Sequence, residues 1–160
     1  MEISQADKNW EKFHQEKVKL NFPRWPNEIM LKLAFGHYLS NPLNIYEGMK
    51  VLDVGCGFGN NLIPFYEAGC ECHGTEVTED ISTLAQKLTT DRGYLCKIVH
   101  GYNQRLPYEN DTFDLLLSIN VIHYEKTRDD IDSSFREYSR VLKKDGTVIL
   151  LTVGPEHVIY

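Results

Sequence analysis

From Met49 to Val153 the chain alternates between short, almost wholly apolar runs and stretches whose apolar residues recur three or four apart. The first pattern reads as buried strand and the second as amphipathic helix. Strands are predicted over 49–54, 70–77, 95–100, 113–119 and 147–153, and helices over 61–68, 78–91 and 127–143. Pro64 sits near the start of the first helix, where its missing N–H removes no intrahelical bond. Thr78 is placed to cap the second, with Glu79 and Asp80 in the first turn, where the helix dipole favours carboxylates. Gly93 stops it. Thr127 and Asp130 resemble a capping box with Asp in the Glu position, and Lys143-Lys144 suits the C-terminal end. An Asp145-Gly146 turn then leads into the last strand.

Residues 1–48 form an N-terminal helical extension. Ser4 to about Lys19 has helical spacing, with Trp10, Phe13 and Val18 apolar, and Pro23-Arg24-Trp25-Pro26 breaks it. Asn27 is a cap for a second helix to about Leu39, which Asn41-Pro42 ends. Strands alternating with helices mean a parallel sheet covered on both faces, so the fold class is α/β. The runs Leu115-Leu116-Leu117 and Val148-Ile149-Leu150-Leu151 suit strands buried on both sides. Such folds bind ligands beyond the carboxyl ends of the strands, where strand order reverses. No repeat or low-complexity segment interrupts the 160 residues, a length that suits one domain: the extension, an α/β core over 49–153 and a tail over 154–160.

Composition narrows the partners. The formal net charge of −6 offers no electrostatic footprint for nucleic acid, and points instead to a small-molecule substrate. The four cysteines, Cys56, Cys70, Cys72 and Cys96, form no CxxC pair, so they read as small buried hydrophobes and no metal is expected. The N-terminus lacks a basic-then-apolar leader pattern and no apolar run reaches bilayer length, so a cytoplasmic protein without a membrane partner is expected.

The chemistry lies at the strand ends. The first strand runs into Asp53-Val54-Gly55-Cys56-Gly57-Phe58-Gly59-Asn60. Glycines at alternate positions between a strand and a helix let backbone N–H groups approach a ligand closely. A dinucleotide fingerprint would carry its third glycine where Asn60 stands, so the spacing fits that class poorly. Glu76, at the tip of the second strand, lies 21 residues beyond Gly55, where a carboxylate accepts from both ribose hydroxyls of a nucleoside.

The loop and Glu76 resemble motif I and its acidic follower in class I S-adenosylmethionine-dependent methyltransferases. The segments 101–108, 111–118 and 136–147 resemble the family's later motifs in the same order, and the resemblance covers residues 46–153. It implies a Rossmann-like three-layer sandwich with strand order 3-2-1-4-5, and S-adenosylmethionine as cofactor. It implies that the backbone of Gly55, Cys56 and Gly57 packs on the methionine and ribose, that Gly59 belongs to the same motif, and that Asp53 holds the loop. Glu76 would bind the ribose, Val77 the adenine, and Ser118 and Ile119 would bring backbone near the methionine amine. Trp10 and Phe13 fall where the family often closes over its cofactor; an apolar stripe of an amphipathic helix explains them equally well. His14 and His37 lie in the same variable region and could face substrate. Where many relatives carry an acid for the adenine amino group, this chain has Tyr102, so Tyr102 or the Asn103 side-chain oxygen would accept instead. After strand four, Asn120 and His123 stand at the expected acceptor pocket, with His123 the candidate base. The family's closing antiparallel hairpin is missing. Strand five is then a bare apolar edge, which a second copy of the chain, or the tail, would cover. Two other readings stay open: a non-catalytic S-adenosylmethionine-binding module or truncated fragment, and an NAD-dependent oxidoreductase.

Overall fold

β1 (Lys50–Val54) is the middle strand of a five-stranded parallel sheet of order β3-β2-β1-β4-β5, with β2 Glu71–Glu76, β3 Lys97–His100, β4 Phe113–Ile119 and β5 Leu142–Leu151. The computed structural model describes residues 5–19 and 25–154, without the side chains of Ala6, Val18 and Lys19. Residues 1–4, 20–24 and 155–160, which include the start of the first predicted helix, Pro23-Arg24 and most of the tail, lie outside the described residues. Val51 sits between Cys72 of β2 and Leu115 of β4 in register. Side chains alternate along each strand, so the apolar runs feed two cores. Val51, Leu115, Leu117 and Ile149 pack on one face with Met30 and Phe65. Leu52, Val54 and Leu116 pack on the other with Tyr138 and Val141. Cys56, Cys70, Cys72 and Cys96 are buried free thiols in the first core.

The helices are α1 (Gln5–Lys19), α2 (Glu28–Phe35), α3 (Ile63–Glu67), α4 (Glu79–Asp91) and α5 (Arg128–Val141). Three N-terminal caps form as predicted. Asn27 accepts from Met30 N–H, Thr78 from Ile81 N–H, and Thr127 with Asp130 makes a reciprocal capping box. Among the described residues no helix is long and apolar enough to cross a membrane.

Four boundaries differ from the pattern reading. The predicted helix over 61–68 is a 3-10 turn, Asn60–Leu62, running into the short α3. α2 ends at Phe35 rather than Leu39, because Gly36 leaves the helix extended and its N–H closes the last turn on the Lys32 carbonyl. β3 starts at Lys97, not Leu95. The largest change is at β5, which begins at Leu142 and not at Thr147. Leu142 already pairs with Phe113, while Thr147 pairs with Leu115, so residues 143–146 bulge opposite Asp114. Lys143 is drawn into the strand by Asp114, 2.8 Å from its ammonium group. The expected Asp145-Gly146 turn survives as this bulge, with Asp145 at φ 65°. Beyond β5 no further strand pairs with its outer edge among the described residues.

α5 also fixes the segment that runs from β3 back to the start of β4. Arg140 donates to the carbonyls of Tyr108 at 2.7 Å and Leu106 at 3.1 Å, while Glu137 accepts from Leu106 N–H at 2.8 Å. The two side chains pair at 2.7 Å. Hydrogen bonds to charged groups are worth about 1.5–3 kcal/mol, so Arg140→Ala is expected to lower stability by roughly that much in urea unfolding at pH 7. Arg140 holds the Glu137 carboxyl below its ordinary value of 4.5. A carboxyl depressed in the folded state contributes stability that is complete above the ordinary value and is lost as pH falls through the lower one. The difference between wild type and Arg140→Ala is therefore expected to shrink when the unfolding is repeated at about pH 3.

Candidate functional site

The loop after β1 is tied to the end of β2 through one carboxylate. Gly57 N–H donates to Glu76 Oε1 at 2.6 Å and Val77 N–H donates to Oε2 at 3.1 Å. Cys56 N–H continues the sheet pattern onto the Thr75 carbonyl. Gly57 has φ 58°, which only glycine adopts without strain. A Cβ there would lie 3.7 Å from His14 Nε2, an ordinary contact, so the backbone conformation rather than lack of room calls for the glycine. Gly59 answers a different need. A Cβ on it would come within 2.5 Å of Thr89 in α4, so this glycine serves helix packing.

Two buried acids lie side by side with different tasks. Burial pushes the Glu76 carboxyl up, while the charge of His14 and the two backbone donors pull it back. Asp53 is 1% exposed, and burial pushes its carboxyl far above the usual aspartate range. The Asn61 amide at 3.4 Å opposes this weakly, the nearby Glu76 charge adds to it, and Oδ1 has no partner among the described residues. The arrangement favours a neutral Asp53 behind the loop and leaves the charge on Glu76 in front. Asn61 also accepts the Asn27 N–H at 2.9 Å, which fastens the start of α2 to the loop.

In front of Glu76 is a cavity of about 460 Å³, within the range of small-molecule sites. α1 forms its roof. Asp7, Trp10 and His14 line it, a stripe spaced three and four residues apart on one helix face. His14 Nδ1 lies 2.9 Å from the Trp10 carbonyl, which only accepts, so Nδ1 carries the proton in the neutral ring. Nε2 is left facing the loop. The Trp10 ring meets Tyr124 edge to face at 4.9 Å, so the roof touches the β4–α5 connection. The floor and far wall come from Gly55, Gly57, Val77 and the segments after β3 and β4. Asn120 ends β4 at φ 58°, a left-handed conformation that asparagine tolerates better than most residues. That kink turns Asn120 and Val121 into the cavity wall.

Of the residues singled out in the sequence, Gly55, Gly57, Glu76, Val77, Tyr102, Asn103 and Asn120 line the cavity. Asp53, Cys56, Gly59, Ser118 and Ile119 stand behind it. Cys56 packs against Gly74, the buried Ser118 hydroxyl meets that of Tyr138 at 3.4 Å, and Ile119 belongs to the core. His123 is also outside the lining: its ring lies 4.2 Å from that of Tyr124, and Nδ1 is 3.3 Å from the Thr152 hydroxyl. Phe13 packs on Trp10 at 5.3 Å and is half-exposed. Pattern reading missed Asp7, Gln104, Glu125 and Asp130. The signal for Asp7 was its place on the Trp10–His14 face; Gln104 and Glu125 reach the cavity through loop conformation, which has no period, and Asp130 through the docking of the first turn of α5.

A family model described as a methyltransferase domain matches residues 52–150. The sterol 4-C-methyltransferase strm-1 of Caenorhabditis elegans is 27% identical over 115 residues, which are 71% of this chain and 34% of that protein. The demethylmenaquinone methyltransferase of Bacillus subtilis is 29% identical over 119 residues, 71% of this chain and 50% of the relative. The chain thus spans about a third to a half of the length of these curated relatives. The crystal structure of the YcgJ protein of Bacillus subtilis superposes with a TM-score of 0.60 at 26% identity, covering 66% of this chain and 44% of that one. The matched segment starts inside β1 and ends inside β5, so it takes in the glycine loop, Glu76 and every strand of the sheet. The chain belongs to the methyltransferase domain family and has the Rossmann-like fold of the class I S-adenosylmethionine-dependent methyltransferases.

Proposed function

We propose that the chain binds S-adenosylmethionine in this cavity and catalyses transfer of its methyl group to a small-molecule acceptor. The observation that carries this is Glu76, a nine-tenths-buried carboxylate with both oxygens oriented by backbone N–H groups and lone pairs left toward the cavity. That donor set fits a ribose diol. Asn103 donates its amide N–H to Glu125 at 2.9 Å, which leaves the side-chain oxygen to accept from an adenine amino group, with Val77 and Tyr102 beside it. The backbone of Gly55 and Gly57 gives the close approach. When bound, the cofactor supplies a methyl group already activated on a positively charged sulfur.

The protein's task is then to align and to exclude water. Orientation alone can supply roughly 7–11 kcal/mol of such a barrier. Trp10 and His14 form the roof that keeps solvent out, and Asn120 and Val121 form the wall beside them. The position of His123 favours a supporting role for it, holding the Tyr124 ring, and His14 is the imidazole that reaches the cavity. The outer edge of β5 supports pairing between two copies of the chain.

Titration calorimetry tests the cofactor. S-adenosylmethionine and its demethylated product are expected to bind and NAD is not. Glu76→Ala is expected to weaken binding by about 1.5–3 kcal/mol, the range for hydrogen bonds to a charged group. Equal affinity in a mutant with unchanged circular dichroism removes Glu76 from the site. Binding without methyl release to any acceptor would leave a non-catalytic binding module. Sedimentation tests the edge: a dimer is expected for the chain, and a monomer at high concentration, with and without residues 154–160, would remove the pairing.

A further inference from the structure

α1 is held over the cavity at two points. Trp10 meets Tyr124 edge to face at 4.9 Å, on the connection after β4. One helical turn further on, His14 reaches the glycine loop. His14 is 8% exposed and packs edge to face on Phe58 at 5.0 Å. Its Nε2 lies 3.7 Å from where a Cβ on Gly57 would stand. Gly57 in turn gives its N–H to Glu76 Oε1 at 2.6 Å. Imidazole and carboxylate therefore flank one glycine. Both are buried, and the charge of His14 favours the ionised form of Glu76 against the effect of that burial. Nδ1 gives its proton to the Trp10 carbonyl, so the second N–H of an imidazolium lies on the Gly57 side. The other titratable groups lining the cavity are Asp7 on α1, Tyr102 after β3, and Tyr124, Glu125, Lys126 and Asp130 after β4, with the neutral Asp53 behind the loop. The acids outweigh the one lysine, so these surroundings favour a cationic ring.

We propose that His14 is the positioning residue of the roof: as an imidazolium it pairs across Gly57 with Glu76, so that docking of α1 and binding of the nucleoside depend on the same ionised carboxylate. A ribose diol donates to Glu76 and favours its charged form, and His14 does the same from above. Each event therefore strengthens the other, and by linkage the factor is equal in both directions. Phe58 and the Trp10 carbonyl place the ring without adding charge to it. The inference rests on the S-adenosylmethionine reading for the identity of the ligand. The pairing of roof and carboxylate exists without ligand and is measured there separately.

Trp10 reports on the roof. Replacing the exposed Trp25 by Phe leaves Trp10 as the only tryptophan of the chain. In that background the parent, His14→Gln, Glu76→Gln and the double variant are compared at about pH 6, where an imidazole readily holds its second proton. Acrylamide quenching of Trp10 is measured in the chain alone, and calorimetry measures affinity for S-adenosylhomocysteine. His14→Gln is expected to expose Trp10 to the quencher and to weaken S-adenosylhomocysteine about five-fold or more, the low end of coupling between sites. In the Glu76→Gln background the same substitution is expected to change neither. A side chain that only packs would act alike in both backgrounds, so the difference between them isolates the pairing. His14→Lys keeps a cation on α1 with Glu76 intact and is expected to keep Trp10 shielded, which covers the case of a Glu76→Gln chain that does not fold. Unchanged quenching in His14→Gln overturns the inference. So does an effect of equal size in both backgrounds, or a lysine variant as exposed as the glutamine one. Coupling seen in the quenching while S-adenosylhomocysteine fails to bind even the parent supports the pairing and strikes the cofactor reading instead.

Discussion

The hydrogen bond from Gly57 N–H to Glu76 is the contact on which the site depends. It is short, 2.6 Å, and charge-assisted, so it is among the stronger hydrogen bonds in the molecule. It ties the loop to the end of β2 one step beyond the last ladder bond, from Cys56 N–H to the Thr75 carbonyl. With it made, the loop lies flat against β2 and one carboxylate is presented to the cavity. Without it, Glu76 would be a buried charge with one backbone donor, and the loop would lose the contact that sets its height. Binding surface and loop conformation are therefore one structural element, held by a group that a nucleoside ligand would also use.

The second constraint is charge partition. Two carboxylates so close in a buried setting cannot both ionise cheaply, and the protein separates them by environment. Glu76 receives the backbone donors and the neighbouring imidazole; Asp53 receives only a weak contact from an amide. Asn61 occupies the joint. It faces Asp53 with its nitrogen and the start of α2 with its oxygen, so the N-terminal extension and the loop share a residue. The extension is thus built into the site from two sides, through α2 behind the loop and α1 above it.

How much of this the sequence carries depends on the range of the interaction. The strands, the caps at Asn27, Thr78 and Thr127, the glycine loop and Glu76 are local or periodic features, and all were legible. The α5–β5 boundary was not, because residues 142–146 look like a helix end followed by a turn until Asp114, some 30 residues earlier, is seen to hold Lys143 in the strand. His123 was misplaced as a cavity group for a similar reason. Its position after β4 is right, but the left-handed turn at Asn120 sends Val121, Tyr124 and Glu125 to the wall and His123 away from it. His14 was visible as a residue on α1, but its burial depends on where that helix docks. Nothing in a helical period says which strand end the helix will cover.

β5 shows what the bulge accomplishes beyond a boundary. Four residues opposite the single Asp114 let the chain leave α5 and join β4 at once, with no intervening loop. Helix and strand are then rigidly coupled. α5 carries Glu137 and Arg140, which grip the segment after β3, and its first turn carries Asp130 at the cavity. A shift of α5 along the sheet would move Glu125 through Ser134, and Asn103 and Gln104 through Glu125. The wall built on the segments after β3 and β4 is therefore tied to α5 and β5, while the glycine loop and Glu76 are held by β1 and β2. The cavity lies between the two, at the reversal of strand order between β1 and β4, and α1 is the element that closes it.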